Sequence, residues 1–178
     1  MNKEDAQNLD MLLVDEYEWH PDTMMIKHIY YGGRACSYVI EKERKLIVRK
    51  KTKEVINDSC MYYGTSLDGN QRGTSIVTNY QKKVPIFICE SLGLLVFPTA
   101  SPSKESCCWI SQPHIKACRS KSPNETIVLF NNNVSETIRI SYASFTSQIE
   151  RAAFLQTSLK SRIAEKKLYY PTFGKDDE

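Results

Sequence analysis

Four short polar clusters hold most of the chemistry open to this chain. Asn70, Gln71 and Arg72 stand between Gly69 and Gly73, with Thr74 just beyond; Lys82 and Lys83 are adjacent; Ser101, Ser103 and Lys104 share a short stretch with Pro102; His114 and Lys116 end the run W-I-S-Q-P-H-I-K. These are cations and short hydrogen-bond donors, and what they can do is recognise. Lys and Arg neutralise phosphate, and amide or hydroxyl donors suit the acceptors on a groove floor. Each cluster also has a plainer reading. Asn70 to Arg72 and Lys82-Lys83 would serve as solvated turns, and His114 as a hydrogen-bonded structural histidine.

Two other constellations invite chemistry. Cys107, Cys108, His114 and Cys118 lie within a dozen residues, a donor set that zinc accepts. Adjacent residues of a strand point to opposite faces, however, and no C-x-x-C pair accompanies them. Cys60 with His114 would make a nucleophile and base, but such a pair needs an orienting third group that nothing in the sequence marks. Neither catalysis nor a cofactor is therefore expected, and binding is the better reading of the middle third, Asp58 to Lys116.

The clusters must be held by something rigid, and the surrounding pattern is mostly β. Met24 to Tyr31, Ala35 to Glu41 and Lys45 to Arg49 read as strands, with Gly32-Gly33 as a tight turn. Pro85 to Cys89 and Leu94 to Phe97 are short apolar runs that suit buried strands. Cys108 to Ser111, Ile115 to Arg119, Thr126 to Phe130 and Thr137 to Ile140 continue the signal, with Asn131 to Asn133 as a turn. Trp109 is expected in the core. Thr52 is placed as the cap of a short helix from Lys53 to Tyr63, ended by Gly64. Leu67 to Asn70 reads as a turn and Thr74 to Tyr80 as a strand. Ser144 caps a long helix, Phe145 to Lys167, with an apolar stripe through Phe145, Ile149, Ala152, Leu155, Leu159 and Ile163. The fold class is α+β: a curled, largely antiparallel sheet or small β-barrel with a short helix and a long C-terminal helix.

A chain of 178 residues fits one domain, and its 41% apolar and 25% charged shares are ordinary for a globular protein. No apolar run is long enough to span a membrane, and the acidic start does not resemble a signal peptide. A cytoplasmic protein follows, with its six cysteines reduced and mostly buried. Charge is unevenly spread. Residues 1–26 carry seven acids against one Lys, and residues 27–53 carry nine bases against two acids. Residues 126–175 carry seven bases against three acids. This pattern suggests an acidic tail on a basic body with affinity for polyanions, or simply a mixed solvated surface. Met11 to Val14 is expected to dock as a short helix stopped by Pro21, within a loosely ordered or peripheral segment of residues 1–23.

Several pieces, in order, carry a resemblance to a known family: I-E-K at Ile40 to Lys42, S-C-M-Y-Y-G-T-S at Ser59 to Ser66, G-N-Q-R-G-T at Gly69 to Thr74, P-I at Pro85-Ile86, F-P-T at Phe97 to Thr99, W-I-S-Q-P-H-I-K at Trp109 to Lys116, and I-S-Y-A-S-F at Ile140 to Phe145. Over residues 24–167 the chain resembles the ComK family, competence transcription factors of Gram-positive bacteria. The resemblance implies a sequence-specific activator of competence genes that binds paired A/T-rich boxes mainly through the minor groove, as homodimers acting in pairs, without a helix-turn-helix. It implies double-stranded DNA and RNA polymerase as partners, and a nucleoid location when bound. It also implies that Leu168, Tyr169, Tyr170 and Pro171, at the head of a tail spanning residues 168–178, meet an adaptor of a Clp-type protease. Packing of Leu168 and Tyr170 under the helix is the plainer alternative. The acidic N-terminal extension, residues 1–23, has no clear counterpart in the family. A different class of function stays open beside this one: a protein-interaction module, or a degenerate regulator paralogue, whose basic face binds an acidic partner and whose residues 1–26 cover it.

Overall fold

The computed structural model describes residues 11–169. Its elements run β1 (Leu12–Val14), β2 (Thr23–Tyr31), β3 (Arg34–Glu41), β4 (Lys45–Val48), α1 (Thr52–Tyr62), α2 (Leu67–Thr78), β5 (Ile86–Cys89), β6 (Leu94–Pro98) and β7 (Trp109–Ser111). A 3-10 turn at Gln112–His114 leads into β8 (Ile115–Ser122), β9 (Glu125–Phe130), β10 (Ser135–Ile138) and α3 (Tyr142–Tyr169). The fold is mixed α+β, built on a seven-stranded sheet in the order β1-β4-β3-β2-β7-β6-β5. The order ends at two edges, so the sheet is open and not a barrel. All its pairs are antiparallel except β1 with β4. A separate three-stranded sheet, β10-β9-β8, lies against one face.

Alternation along the strands builds two cores. Ile26, Val39, Leu46, Val96 and Trp109 point to one face, where Val55, Ile56 and Cys60 of α1 and Leu67 of α2 cover them. Met25, Ile40, Leu95, Phe97 and Ile110 point to the other, under Val128 and Phe130 of β9 and Phe145, Ala152 and Leu155 of α3. The rings of Phe97 and Phe145 meet edge to face at 5.6 Å. Strands covered on both faces need apolar residues at every position, which is why L-L-V-F of β6 reads as a continuous run.

Thr52 is the first residue of α1 rather than its cap, a position held by Lys51, and three larger sequence expectations need correction. The first is the turn at Leu67 to Asn70 and the strand at Thr74 to Tyr80, which are one helix, α2. Ser66 caps it, its Oγ accepting from the Gly69 N–H at 3.0 Å, and Asn79 ends it in the left-handed conformation, φ 61°. The Thr78 hydroxyl donates to the Thr74 carbonyl at 2.8 Å, so the β-branched run T-S-I-V-T pairs its hydroxyls within the helix. With α1 it forms a helix pair joined by Tyr63 to Ser66, with Gly64 at φ 84° in the turn. The sequence showed no such pair.

The second is Met11 to Val14. Leu12 to Val14 form a parallel edge strand rather than a helix, and the segment after it is not peripheral. Trp19 is fully buried, and its backbone N–H donates to Ser59 Oγ at 2.9 Å; Tyr17 is buried beside it. The third is the long helix, which begins at Tyr142, with the Ser144 N–H donating to the hydroxyl of Ser141 at 3.3 Å. The remaining strands fall within one to three residues of expectation at each end.

Candidate nucleic-acid interface

Strand direction decides where the polar clusters go. β2, β4 and β6 run one way, and β3, β5 and β7 run the other. The β2–β3 turn, the Arg49–Lys51 link into α1, the Asn79–Pro85 link into β5 and the Thr99–Cys108 loop between β6 and β7 therefore all emerge at the same end of the sheet. There Lys53 of α1, one side of α2, the Asn79–Pro85 link and the Thr99–Cys108 loop line a cleft of about 930 Å³.

Lys53, Arg72, Lys82, Lys83 and Lys104 line this cleft together with Gln71, Ser75, Gln81, Ser101 and Ser103, and among the described residues no carboxylate lines it. Among the described residues, Lys53, Lys82, Lys83 and Lys104 make no ion pair. Arg72 pairs with Asp68 at 3.0 Å, but both side chains are more than 70% exposed, so the pair competes weakly with another anion. Unpaired cations gathered in a concave wall raise the local positive potential well above that of a flat surface.

The walls are fixed by hydrogen bonds. Arg151 of α3 donates to the Lys82 carbonyl at 2.6 Å and stacks over the Tyr80 ring at 4.2 Å. Gln148, buried, donates to the carbonyls of Lys83 and Pro98 at 2.9 and 2.7 Å. Lys83 itself is left-handed, φ 50°, a conformation that a lysine adopts only when its surroundings hold it there. In the facing loop the Lys104 N–H donates to Ser101 O at 2.9 Å, and the Ser101 and Ser103 hydroxyls lie 3.0 Å apart.

Of the residues singled out in the sequence, seven meet here: Gln71, Arg72, Lys82, Lys83, Ser101, Ser103 and Lys104. Four do not. Asn70 turns to the opposite face of α2, where its Nδ2 donates to Phe87 O at 2.9 Å, beside a second cavity of about 790 Å³. Thr74, on α2, is buried and lines the same second cavity. His114 follows β7 and so lies at the far end of the sheet. Its Nδ1 is 2.6 Å from Ser111 Oγ, and burial, with Lys42 nearby, lowers its pKa, which disfavours the cation a phosphate contact would use. Lys116 donates to Asn133 at 2.8 Å on the three-stranded sheet. Sequence reasoning missed Lys53 and Ser75. Ser66 ahead of an acidic first turn was the available sign of α2 and hence of Ser75 on its cleft side; only topology brings Lys53 across from Lys104.

Among the described residues, part of the charge asymmetry of the sequence is cancelled in space. Asp15 pairs with Arg49 at 2.9 Å, Glu16 with Lys50 at 3.7 Å and Asp22 with Lys42 at 2.8 Å. Glu136 holds Lys27 and Lys45, and Glu41 holds Arg44. Asp15, Glu16 and Asp22 are thus partners of the basic block, while Lys53, Lys82, Lys83 and Lys104 at the cleft are among the cations that make no ion pair among the described residues.

All six cysteines are free. Burial pushes the Cys60 and Cys108 thiols up to about 11 and the Cys107 thiol up to about 12. Among the described residues no three His, Cys, Asp or Glu side chains are grouped to hold a metal, and no helix is long and apolar enough to cross a membrane.

A family model described as ComK protein matches residues 14–164. The chain belongs to the ComK family. Among curated relatives, the competence transcription factor of Bacillus subtilis (strain 168) is 33% identical over 150 residues, covering 84% of this chain and 78% of its own length. No solved structure matches. The ComK match begins at residue 14 and so takes in Tyr17 and Trp19, inside the segment for which no family counterpart was expected. At the other end, Leu168 and Tyr169 are 83% and 73% exposed on the last turn of α3; Tyr170 and Pro171 lie outside the described residues.

Proposed function

We propose that this ComK-family chain is a DNA-binding transcriptional activator of competence genes, a regulator rather than an enzyme, and that it holds A/T-rich duplex DNA against the cleft at the end of its sheet. The observation that carries this reading is the convergence of five cations from four separate segments on a cleft that no carboxylate lines among the described residues. The name of the Bacillus subtilis relative supports the regulatory part. Lys82, Lys83, Lys104 and Lys53 take phosphates; Arg72, Gln71, Ser101 and Ser103 supply donors for the acceptors of an A·T minor groove, whose narrowness draws in cations. The protein acts in the cytoplasm, on the nucleoid, as a homodimer that works in pairs, recruits RNA polymerase, and is handed to a Clp-type protease through the exposed Leu168 and Tyr169.

The α1–α2 pair favours a second way of engaging the same duplex. It has a four-residue turn with Gly64, and α2 exposes Arg72 and Ile76, so α2 would read the major groove. Inosine·cytosine pairs keep the minor-groove pattern of A·T while presenting a major groove like that of G·C. Affinity for a two-box A/T duplex is compared with that of its inosine·cytosine and G·C versions across salt concentrations. Retention on inosine·cytosine and loss on G·C supports the minor groove. Loss on both supports α2. Equal weak binding to all three, gone by physiological salt, defeats the sequence-specific reading.

A further inference from the structure

The β2–β3 hairpin reaches past the sheet that anchors it. β7 pairs with β2 only at Met25 and Ile26, and β4 pairs with β3 only from Ser37 onward. Beyond those points Ile29 faces Cys36, Tyr30 faces Ala35 and Tyr31 faces Arg34, with no third strand on either side among the described residues. The result is a two-stranded ribbon closed by Gly32 and Gly33, at φ 56° and 74°, a turn in which both central residues are left-handed and neither carries a side chain. The tip is exposed: Tyr30 by 64%, Tyr31 by 48%, and Arg34 as well.

Two observations tie this ribbon to the cleft. It projects from the end of the sheet where the cleft opens, and Tyr30 Oη donates at 2.7 Å to Glu105, the residue after Lys104. Tyr31 and Arg34 are a directly opposed cross-strand pair, so a ring and a guanidinium present one face together. Arg34 makes no ion pair among the described residues, unlike most of the basic block around it.

We infer that the β2–β3 ribbon is a second DNA-contacting arm, with Arg34 on a phosphate and the Tyr31 ring against sugar or base edges of the duplex held in the cleft; this rests on the function proposed above. A two-stranded ribbon is narrow enough to enter a major groove, and a tip of two glycines lets the backbone come close to the duplex. An unpaired arginine beside an exposed tyrosine fits a polyanion with planar faces, whereas an acidic protein partner would leave the ring unused.

The test uses the full chain and the two-box A/T duplex, with Arg34→Ala, Tyr31→Ala and Lys82→Ala compared in salt titrations. Arg34→Ala is expected to weaken binding roughly tenfold and to lower the salt slope by about 1. Tyr31→Ala is expected to weaken binding several-fold with the slope unchanged, and thermal unfolding of both should match the wild type. If Lys82→Ala weakens binding while both arm variants behave as wild type, the arm inference falls and the cleft reading stands. If the arm variants change sedimentation of the free protein and leave DNA affinity alone, the ribbon is a protein contact and the inference is overturned. If the wild type binds no duplex, cleft and arm fall together.

Discussion

Gln148 Nε2 donates to the backbone carbonyl of Lys83 at 2.9 Å, from a side chain buried under α3. The same nitrogen serves Pro98 O, so one amide clips the end of β6 to the lysine loop. Gln148→Ala leaves two carbonyls short of a donor and should cost about 2 kcal/mol of stability, read by urea unfolding. The loosened loop should also bind DNA less tightly, while Gln148→Glu, which can accept but not donate here when ionised, should be no better. Unchanged stability in both variants would show that the clip is idle.

Replacing Lys82 and Lys83 together by Ala should weaken binding to every duplex alike and lower the salt slope by about 2, one counterion for each lost phosphate contact. Lys116→Ala, on the far side of the molecule, should move neither. Titration of duplex at several salt concentrations reads both, and a Lys116 effect as large as that of the pair would relocate the interface.

Arg72→Ala should cost on the order of 1–3 kcal/mol on A/T boxes if its guanidinium reads a base, with a smaller loss on random duplex. Equal losses on both would make Arg72 a phosphate contact. The comparison is of affinities at a single salt concentration.

Acid stability should depend on Glu41. Burial raises its pKa, but hydrogen bonds from Arg44, Tyr17 and His20 outweigh that and hold it below the ordinary glutamate range. Because the folded pKa lies below the unfolded one, the stabilisation is full above the unfolded value and is lost as pH falls through the folded value. Denaturant midpoints should therefore fall steeply below about pH 4.5, and less steeply in Glu41→Gln. That variant should already be less stable at pH 7, because the charge-assisted hydrogen bond from Arg44 to the carboxylate is lost. Parallel pH profiles for the two proteins would remove Glu41 from the account.

Trp19→Ala should cost about 3–5 kcal/mol in urea unfolding, the range for emptying a fully buried large side chain. The loss would show that the stretch after β1 belongs to the domain. It also means that deleting residues 1–23 would damage the fold before it could reveal any masking role of the acidic segment. A cost under 1 kcal/mol would return the segment to the periphery.

How legible was this molecule in its sequence? The sheet was, because alternation and apolar runs report burial directly: β2, β3, β4 and β6 stand where their patterns put them. α3 was, because its stripe from Phe145 to Leu159 spans four turns. α2 was not. Two glycines and a β-branched run argue against a helix locally, at roughly 1 kcal/mol for each glycine, and what overrides them is tertiary: a serine cap, internal threonine hydrogen bonds and packing of the helix against α1, α3 and β5. β1 was missed for a similar reason, since three apolar residues carry no period and only the open edge of β4 makes them a strand. The polar loops of the site were legible one by one. Their meeting was not, because nothing in the spacing of Lys53, Arg72, Lys82 and Lys104 states that β4, β6 and the links around α2 end on the same side. Asn70 shows the converse: it shares a motif with Arg72 and faces the other way.

The cleft draws its positive wall from pieces of chain up to about fifty residues apart, and this has a thermodynamic corollary. The unfolded chain has the same lysines but not the cluster, so a polyanion binds the folded form preferentially and each increment of binding is an increment of folding stability. In its absence the five cations repel one another across the cleft, and the native state carries that strain alone. Duplex DNA should therefore act on this protein as a folding ligand, raising its melting temperature with concentration, and by the same linkage a variant destabilised enough to populate the unfolded chain should bind with lower apparent affinity.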